Sequence, residues 1–150
     1  MIRKEFFKGI RYPYITNASP NKRHDGINIA RAAYAVDTSV LETEINEKNN
    51  PVFKLESLSR MQGLDSSDAH SALTDATLTA KILSIIKKRQ PSTWDMFLRT
   101  ANKLDTETIF KKEEMFTLNE YFYGKSRLYL CAPLHPKYCI HPIYNWGKAV

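Results

Sequence analysis

The order of apolar and polar positions predicts that roughly the first hundred residues are mainly helical. In segment 26–36 the side chains of Ile27, Ala30 and Ala33 recur at helical spacing, and Asp25 before them can cap the first-turn amides. Further helices are predicted over residues 1–9, over residues 92–103, and around Leu55 and Leu58 with a C-terminal cap at Gly63.

The clearest helical pattern covers residues 67–88. Ser66, Ser67 and Asp68 can each cap its start, and Lys87, Lys88 and Arg89 place cations at its end, where the helix dipole is negative. Its apolar positions are Ala72, Leu73, Ala76, Leu78, Ala80, Ile82, Leu83 and Ile86.

After about residue 106 the pattern changes to short runs typical of strands. These runs are "MFTL", "RLYLCAPL" and "YCIHPIYNW", and Gly124, Pro133, Pro136 and Pro142 separate or interrupt them. We therefore predict two domains, 1–105 and 106–150, of which the second is the start of a small β domain. The acidic, Asn-rich segment 37–50 is predicted to be a loop or a weakly ordered insert.

Composition places the chain among cytoplasmic globular proteins. Its 150 residues contain 43% apolar side chains, enough for one core, but no apolar run long enough to span a membrane. The first residues are too charged for a secretory signal. Cys131 and Cys139 have neither a zinc-ligand nor a disulfide-framework spacing, so both are predicted to be reduced and partly buried.

The net charge of +6 is unevenly distributed. Residues 1–36 carry seven Lys/Arg against two Asp/Glu, residues 37–75 carry three against eight, and residues 76–150 carry twelve against six. Basic flanks around an acidic middle suit a phosphate-binding surface beside a metal or acid site. A solvated surface of mixed sign would give the same counts, so both interpretations stay open at this point.

His70 and Asp75 are the candidate catalytic pair. On one helix their side chains would project roughly 140° apart, too far for an i,i+4 salt bridge but compatible with a site at the helix start. Asp75 could then bind Mg²⁺ and His70 could deprotonate a metal-held water. The alternative is two solvated residues on the surface of an ordinary helix.

Residues 51–98 resemble the third exonuclease motif and its surroundings in the bacterial exodeoxyribonuclease I family, which belongs to the DEDD exonuclease superfamily. The motif is a histidine, four residues and an aspartate, here His70 to Asp75. The flanking blocks "ARAAYA", "FKLESL", "KKRQP" and "LYLCAPLHP" resemble the same family in the same order.

The resemblance implies an α/β fold, the C-terminal part of an RNase H-like exonuclease domain, mostly helical here, followed by the start of an SH3-like β domain. It implies a 3′–5′ exonuclease that degrades single-stranded DNA to mononucleotides in DNA repair, using two Mg²⁺ ions. Asp75 would be the fourth metal-binding carboxylate and His70 the general base. Lys54 and Phe53 would contact the substrate, and Arg3, Tyr14 and Arg31 would line the DNA path.

The other catalytic carboxylates of that family are missing from the sequence. Neither its Asp-x-Glu on an early apolar strand nor its helix-start aspartate is present, and the pair Glu42 and Glu44 lies in the wrong order to replace them. We therefore expect a chain truncated at both ends, inactive alone, with the apolar face of helix 67–88 exposed. A separately encoded N-terminal fragment is a candidate partner. The alternatives are a non-catalytic module that binds single-stranded DNA and a functionless relic.

Overall fold

The computed structural model describes residues 2–12, 14–16, 21–64, 71–100, 103–112 and 115–133, without the side chains of residues 2, 3 and 103. Six helices precede one β-hairpin within these residues. They are α1 (Ile2–Lys8), α2 (Gly26–Val36), α3 (Leu55–Met61), α4 (Ala72–Arg89), α5 (Pro91–Arg99), α6 (Lys103–Lys112), β1 (Phe116–Phe122) and β2 (Lys125–Cys131). The predicted α/β class, mostly helical in this chain, is confirmed.

Helix α2 forms where the sequence predicts it. The Asp25 side chain accepts from the Ile27 amide at 3.1 Å, which satisfies a first-turn donor that has no partner within the helix. Three alanines of α2 are buried, so neighbouring elements can approach its backbone closely. The small side chains explain why α2 lies at the centre of the described fold, in contact with α4, α5 and both strands.

The core lies between α2 and α4. At the start of α2, a Cβ on Gly26 would lie 3.4 Å from Thr79 Cγ2 of α4. Near the end of α2, the Ala33 carbonyl accepts from Nε2 of Gln90, which follows α4, at 3.0 Å. Because residue numbers rise together along both helices, α2 and α4 run in the same direction. The cluster of buried residues between them and their neighbours is Ile29, Ala30, Ala33, Val40, Leu41, Phe53, Leu58, Ile82 and Ile86.

Segment 37–50 is a loop, one of the two outcomes predicted from its composition, and it is not a weakly ordered insert, because part of it packs in the core. It contains a 3₁₀ turn (Thr38–Val40) that begins at Asp37, whose carboxylate accepts from the Ser39 amide at 2.8 Å. Val40 and Leu41 are 1% and 0% exposed and belong to the core. The adjacent apolar pair anchors a polar loop, and two residues are too few to produce a periodic pattern.

Helix α4 begins at Ala72, later than residues 66–68, where the sequence placed its cap. Ser71 has extended backbone angles and its Oγ accepts from the Thr74 amide at 3.1 Å, so Ser71 is the N-cap. Its apolar face is also not left exposed as expected, because Leu78, Ile82 and Ile86 are buried against the neighbouring elements. Leu73, in the first turn, is 79% exposed.

Two further helices connect α4 to the hairpin. Pro91 opens α5, where its missing N–H costs no hydrogen bond, and Trp94 and Phe97 pack on the core as their spacing predicts. The sequence did not predict α6, which passes through the proposed boundary between residues 105 and 106. The two-domain division therefore stays a prediction.

Strands β1 and β2 pair antiparallel, from Phe116 opposite Cys131 to Phe122 opposite Lys125. The runs "MFTL" and "RLYL" are confirmed as strands, whereas "YCIHPIYNW" lies outside the described residues. Cys131 is a free, half-buried thiol, and Cys139 is likewise outside the described part.

The hairpin turn docks on the 46–50 loop. Gly124 has a φ of +80°, and a Cβ there would lie 2.6 Å from Asn50 Nδ2. Asn50 is held in place by its amide, which donates to Asn46 Oδ1 at 3.0 Å. Glycine at position 124 is thus required both by the backbone conformation and by the close approach of Asn50.

Within the described residues, no helix is long and apolar enough to cross a membrane.

The core packing of α4 predicts unequal effects of truncation along one helix. Ile86→Ala should lower the free energy of unfolding by about 2–5 kcal/mol, because Ile86 is fully buried. Leu73→Ala, on the same helix but exposed, should change it by less than about 0.5 kcal/mol. Urea unfolding followed by circular dichroism measures both, and equal losses would contradict the assigned packing.

The docked turn predicts a cost at Gly124 that depends on Asn50. Gly63 also has a positive φ but an open environment, so Gly63→Ala should cost about 1 kcal/mol from backbone conformation alone. Gly124→Ala should cost roughly 1–3 kcal/mol more because of the contact with Asn50. A double-mutant cycle of urea unfolding energies should show this extra cost disappearing in an Asn50→Ala background. Its persistence there would rule out the contact as the cause.

Candidate nucleic-acid interface

Asp75 is half-buried in the first turn of α4. It lies one turn before Thr79, the residue of α4 that contacts the start of α2. Its amide donates to the Ser71 carbonyl at 2.9 Å, and its own carbonyl accepts from Thr79 Oγ1 at 2.8 Å. Thr79 Cγ2 in turn faces Gly26. The packing of α2 on α4 therefore fixes the turn that carries Asp75 beside the beginning of α2.

His70 lies outside the described residues. Helix α4 begins at Ala72 with Ser71 as its N-cap, so the described helix contains Asp75 alone of the pair. The predicted catalytic pairing of His70 with Asp75 stays a prediction.

Asp75 has no neighbouring set of metal ligands in the part of the chain that the structure describes. No group of three or more His, Cys, Asp or Glu side chains there could hold a metal ion. Glu44 is also engaged elsewhere, since its carboxylate accepts from Arg60 Nε at 3.1 Å and the Arg60 hydrogen bonds lower the pKa of Glu44. The described residues thus do not by themselves make up a two-metal site.

Arg31 and Tyr121 form the closest cation–aromatic contact of the described fold. Arg31 Cζ lies 3.5 Å from the centroid of the Tyr121 ring, and this pair joins α2 to β1. The Arg31 Nε atom is shielded from solvent and has no hydrogen-bond acceptor among the described residues. Arg31 was predicted from the sequence as a DNA contact, whereas Tyr121 was not.

Phe53 lies in the core and Lys54 on the surface. Phe53 is 6% exposed and makes edge-on contacts with the rings of Tyr34, at 5.5 Å, and Tyr121, at 6.2 Å. Lys54 precedes the first turn of α3 and is exposed. The same backbone segment therefore fixes an aromatic anchor inward and presents a cation outward.

Tyr14 and Arg3 lie on the N-terminal segment. Tyr14 is exposed and its ring contacts that of Tyr12 edge-on, with 5.8 Å between centroids. Arg3 falls within α1, but its side chain is outside the described residues. No described contact links this segment's aromatic rings to Arg31 or Lys54.

A basic segment before α2 was missed by sequence reasoning. Asn21, Lys22, Arg23 and His24 line an open pocket of about 480 Å³ with Ile15 and Thr16. Partial burial and the neighbouring Lys22 lower the pKa of His24, whose ring contacts Phe97 edge-on at 6.2 Å. The signal available in the sequence was the run of three basic side chains directly before the Asp25 cap.

A larger groove runs between α2, α5, α6 and β1. It encloses about 870 Å³, and its walls include Arg31, Phe97, Ile109, Asn119 and Tyr121. Arg31 is thus one of the charged residues in the wall of a mostly apolar groove.

Comparison with known proteins finds relatives in both sequence and fold. No protein-family model matches the chain. Exodeoxyribonuclease I of Buchnera aphidicola from Schizaphis graminum is 32% identical over 102 residues, 67% of this chain and 21% of that protein. The Escherichia coli K12 enzyme is 30% identical over 102 residues, with shares of 67% and 22%. The enzyme of Buchnera aphidicola from Acyrthosiphon pisum is 29% identical over 142 residues, 94% of this chain and 33% of its own length.

The fold gives the same answer. The crystal structure of E. coli Exonuclease I in complex with a dT13 oligonucleotide superposes with a TM-score of 0.68 at 25% identity, over 90% of this chain and 31% of that one. A complex of the same enzyme with dA16 gives 0.67 at 26% identity, over 84% and 28%. The chain thus spans about a fifth to a third of the length of these relatives. It is a homologue of bacterial exodeoxyribonuclease I and corresponds to one part of that enzyme.

Proposed function

We propose that this chain is the strand-holding part of a 3′–5′ exonuclease acting on single-stranded DNA in the cytoplasm, with a role in DNA repair. The observation that carries the proposal is the 142-residue match to an exodeoxyribonuclease I, which covers 94% of the chain and so must include Arg31, Lys54 and Asp75. Solved relatives were crystallised with dT13 and dA16 oligonucleotides. In this proposal residues 1–105 belong to the exonuclease domain and residues 106–150 begin an SH3-like domain.

The available cations support strand binding. Arg31 is half-buried and pairs with no carboxylate among the described residues, and Lys54 is exposed, so both can contact phosphate oxygens. Tyr14 is an exposed aromatic ring on which a base can stack, and Arg3 adds a cation to the same segment. Phe53, in contrast, is buried, and its packing in the core fixes the backbone beside Lys54.

The catalytic contribution of this chain is one corner of a metal site. We propose that Asp75 is a Mg²⁺ ligand and His70 the base only together with further carboxylates from outside these 150 residues. A two-metal site holds its ions ~4 Å apart, which a single carboxylate does not achieve. Because the described residues contain no cluster of three or more His, Cys, Asp or Glu side chains that could hold a metal ion, we propose no hydrolytic step for the chain alone.

A second candidate is a module that binds single-stranded DNA without any catalysis. Two observations on the described residues favour it. Arg31 pairs with no carboxylate there, and no cluster of three or more metal-ligating side chains occurs there. The two candidates differ in whether Asp75 matters when a complementing polypeptide is present.

We expect salt-sensitive binding of oligothymidylate that depends on Lys54. Lys54→Gln should weaken binding and reduce the slope of log affinity against log salt by about 0.7, the value for one phosphate contact on a single strand. The matched control is Lys88→Gln, the same charge change about 20 Å along α4 from Asp75, which should leave the slope unaltered. Fluorescence anisotropy measures both, and equal slopes for the two variants would remove Lys54 from the interface.

We also expect the purified chain with Mg²⁺ to release no mononucleotides from single-stranded DNA with a free 3′ end. A bacterial exodeoxyribonuclease I serves as the positive control, and chromatography of the products is the measurement. Release that disappears in both His70→Ala and Asp75→Ala would show that the chain is active alone. Binding in this preparation should be unchanged by Asp75→Asn and independent of Mg²⁺.

A further inference from the structure

We propose that Tyr121 is a positioning residue for DNA binding, because its ring holds the Arg31 guanidinium in place for a phosphate of the strand. The inference rests on the proposed function, since it requires that Arg31 contact single-stranded DNA. It extends that function to the β-hairpin, a part of the chain to which no DNA contact has been assigned.

The geometry is that of a stacked guanidinium. Arg31 Cζ lies 3.5 Å from the Tyr121 centroid, well inside the ~6 Å range of cation–π attraction. The donors of a guanidinium lie in its plane, and stacking on an aromatic face leaves these edges available. Phosphate is bound through such edges, often by two parallel hydrogen bonds. A ring below the plane therefore orients Arg31 without competing for the ligand.

The polar contacts of Arg31 leave a place for an anion. Its Nε atom is out of contact with solvent and finds no acceptor among the described residues, and no carboxylate in that part of the chain pairs with it. A shielded N–H without an acceptor is uncommon in folded proteins. The Tyr121 ring attracts the charge but accepts no hydrogen bond, and Arg31 is only half-buried on the groove wall. Because Nε itself is shielded, we assign the phosphate contact to the terminal Nη groups of the guanidinium.

Tyr121 is itself fixed from two directions. Its ring meets that of Phe53 edge-on at 89° and 6.2 Å, and Phe53 meets Tyr34 in the same manner. The hairpin that carries Tyr121 is anchored at its turn, where Gly124 approaches Asn50. Lys54 follows Phe53 directly in the chain. One aromatic cluster, Tyr34, Phe53 and Tyr121, therefore sets the positions of both cations proposed to bind phosphate.

The test compares oligothymidylate binding by the full 150-residue chain and five variants across a salt series. Tyr121→Leu should weaken binding by roughly threefold to tenfold, whereas Tyr121→Phe, which keeps the ring face, should bind within about twofold of the parent chain. Arg31→Gln should reduce the salt slope by about 0.7. Adding Tyr121→Leu to Arg31→Gln should cause no further loss, because the tyrosine acts through the arginine.

Tyr129→Leu is the matched control. Tyr129 stands opposite Leu118 in the hairpin register, so it lies on the other face of the hairpin from Tyr121. It should bind as the parent chain does. Equal weakening by Tyr121→Leu and Tyr129→Leu would mean that the hairpin acts only through its general stability, which overturns the positioning role.

The other outcomes separate the inference from the function on which it rests. A parent chain that fails to bind overturns both. Weakening by Arg31→Gln without weakening by Tyr121→Leu overturns the positioning role alone, as does an additive loss in the double variant. If Tyr121→Leu does not fold, the Arg31 Nε–H resonance, assigned by its absence from Arg31→Lys, decides. It should show a ring-current shift in the parent chain and move on addition of oligothymidylate, and an unchanged resonance with bound DNA refutes the proposal.

Discussion

Close packing of α2 on α4 is the contact from which the positions of the other functional groups follow. It depends on small side chains, since Gly26 faces Thr79 and Ala33 reaches the end of α4 through Gln90. The two helices run in the same direction, so the first turn of α4, with Asp75, lies beside the start of α2. A larger residue at position 26 would separate the helices at the end where the candidate site lies.

Helix α2 also connects the core to the hairpin. Ala30 and Ala33 face the core cluster, while Asn28, Arg31 and Ala32 face the groove between α2, α5, α6 and β1. Helix α2 therefore has two faces in contact with other elements, one packed in the core and one lining the groove. The residue that is polar on the groove side, Arg31, is the one that meets the hairpin. In this arrangement the proposed binding surface combines residues ninety positions apart in the chain.

Local chemistry explains which parts of the fold could be predicted from the sequence. Asp25 as a cap, the apolar repeat of α2 and Gly63 after α3 were correctly predicted because each depends on neighbours within one or two turns. The start of α4 was misplaced because residues 66–68 and Ser71 all have side chains that can cap, and tertiary packing selects among them. Val40 and Leu41 were missed because an isolated apolar pair has no period.

The candidate site shows the same division. Asp75, Lys54 and Arg31 could be predicted as site residues because they lie in or beside motifs that resemble a known family, and their roles stay predictions. The stack of Arg31 on Tyr121 was not, because the two residues lie on different elements and one sequence carries no information on long-range pairs. Phe53 was predicted as a substrate contact, but an aromatic residue beside a cation looks the same in sequence whether its ring faces solvent or the core.

Two opposing energies act on the Arg31 side chain. Shielding an N–H without an acceptor costs about 1–3 kcal/mol, while a cation–π contact returns about 0.5–2 kcal/mol. The two terms nearly cancel, so the Arg31–Tyr121 pair contributes little net stability to the chain. On the proposed function, a phosphate bound by the terminal Nη groups adds a charge-assisted hydrogen bond to that balance. The aromatic cluster would then hold Arg31 in an arrangement that a bound anion stabilises further.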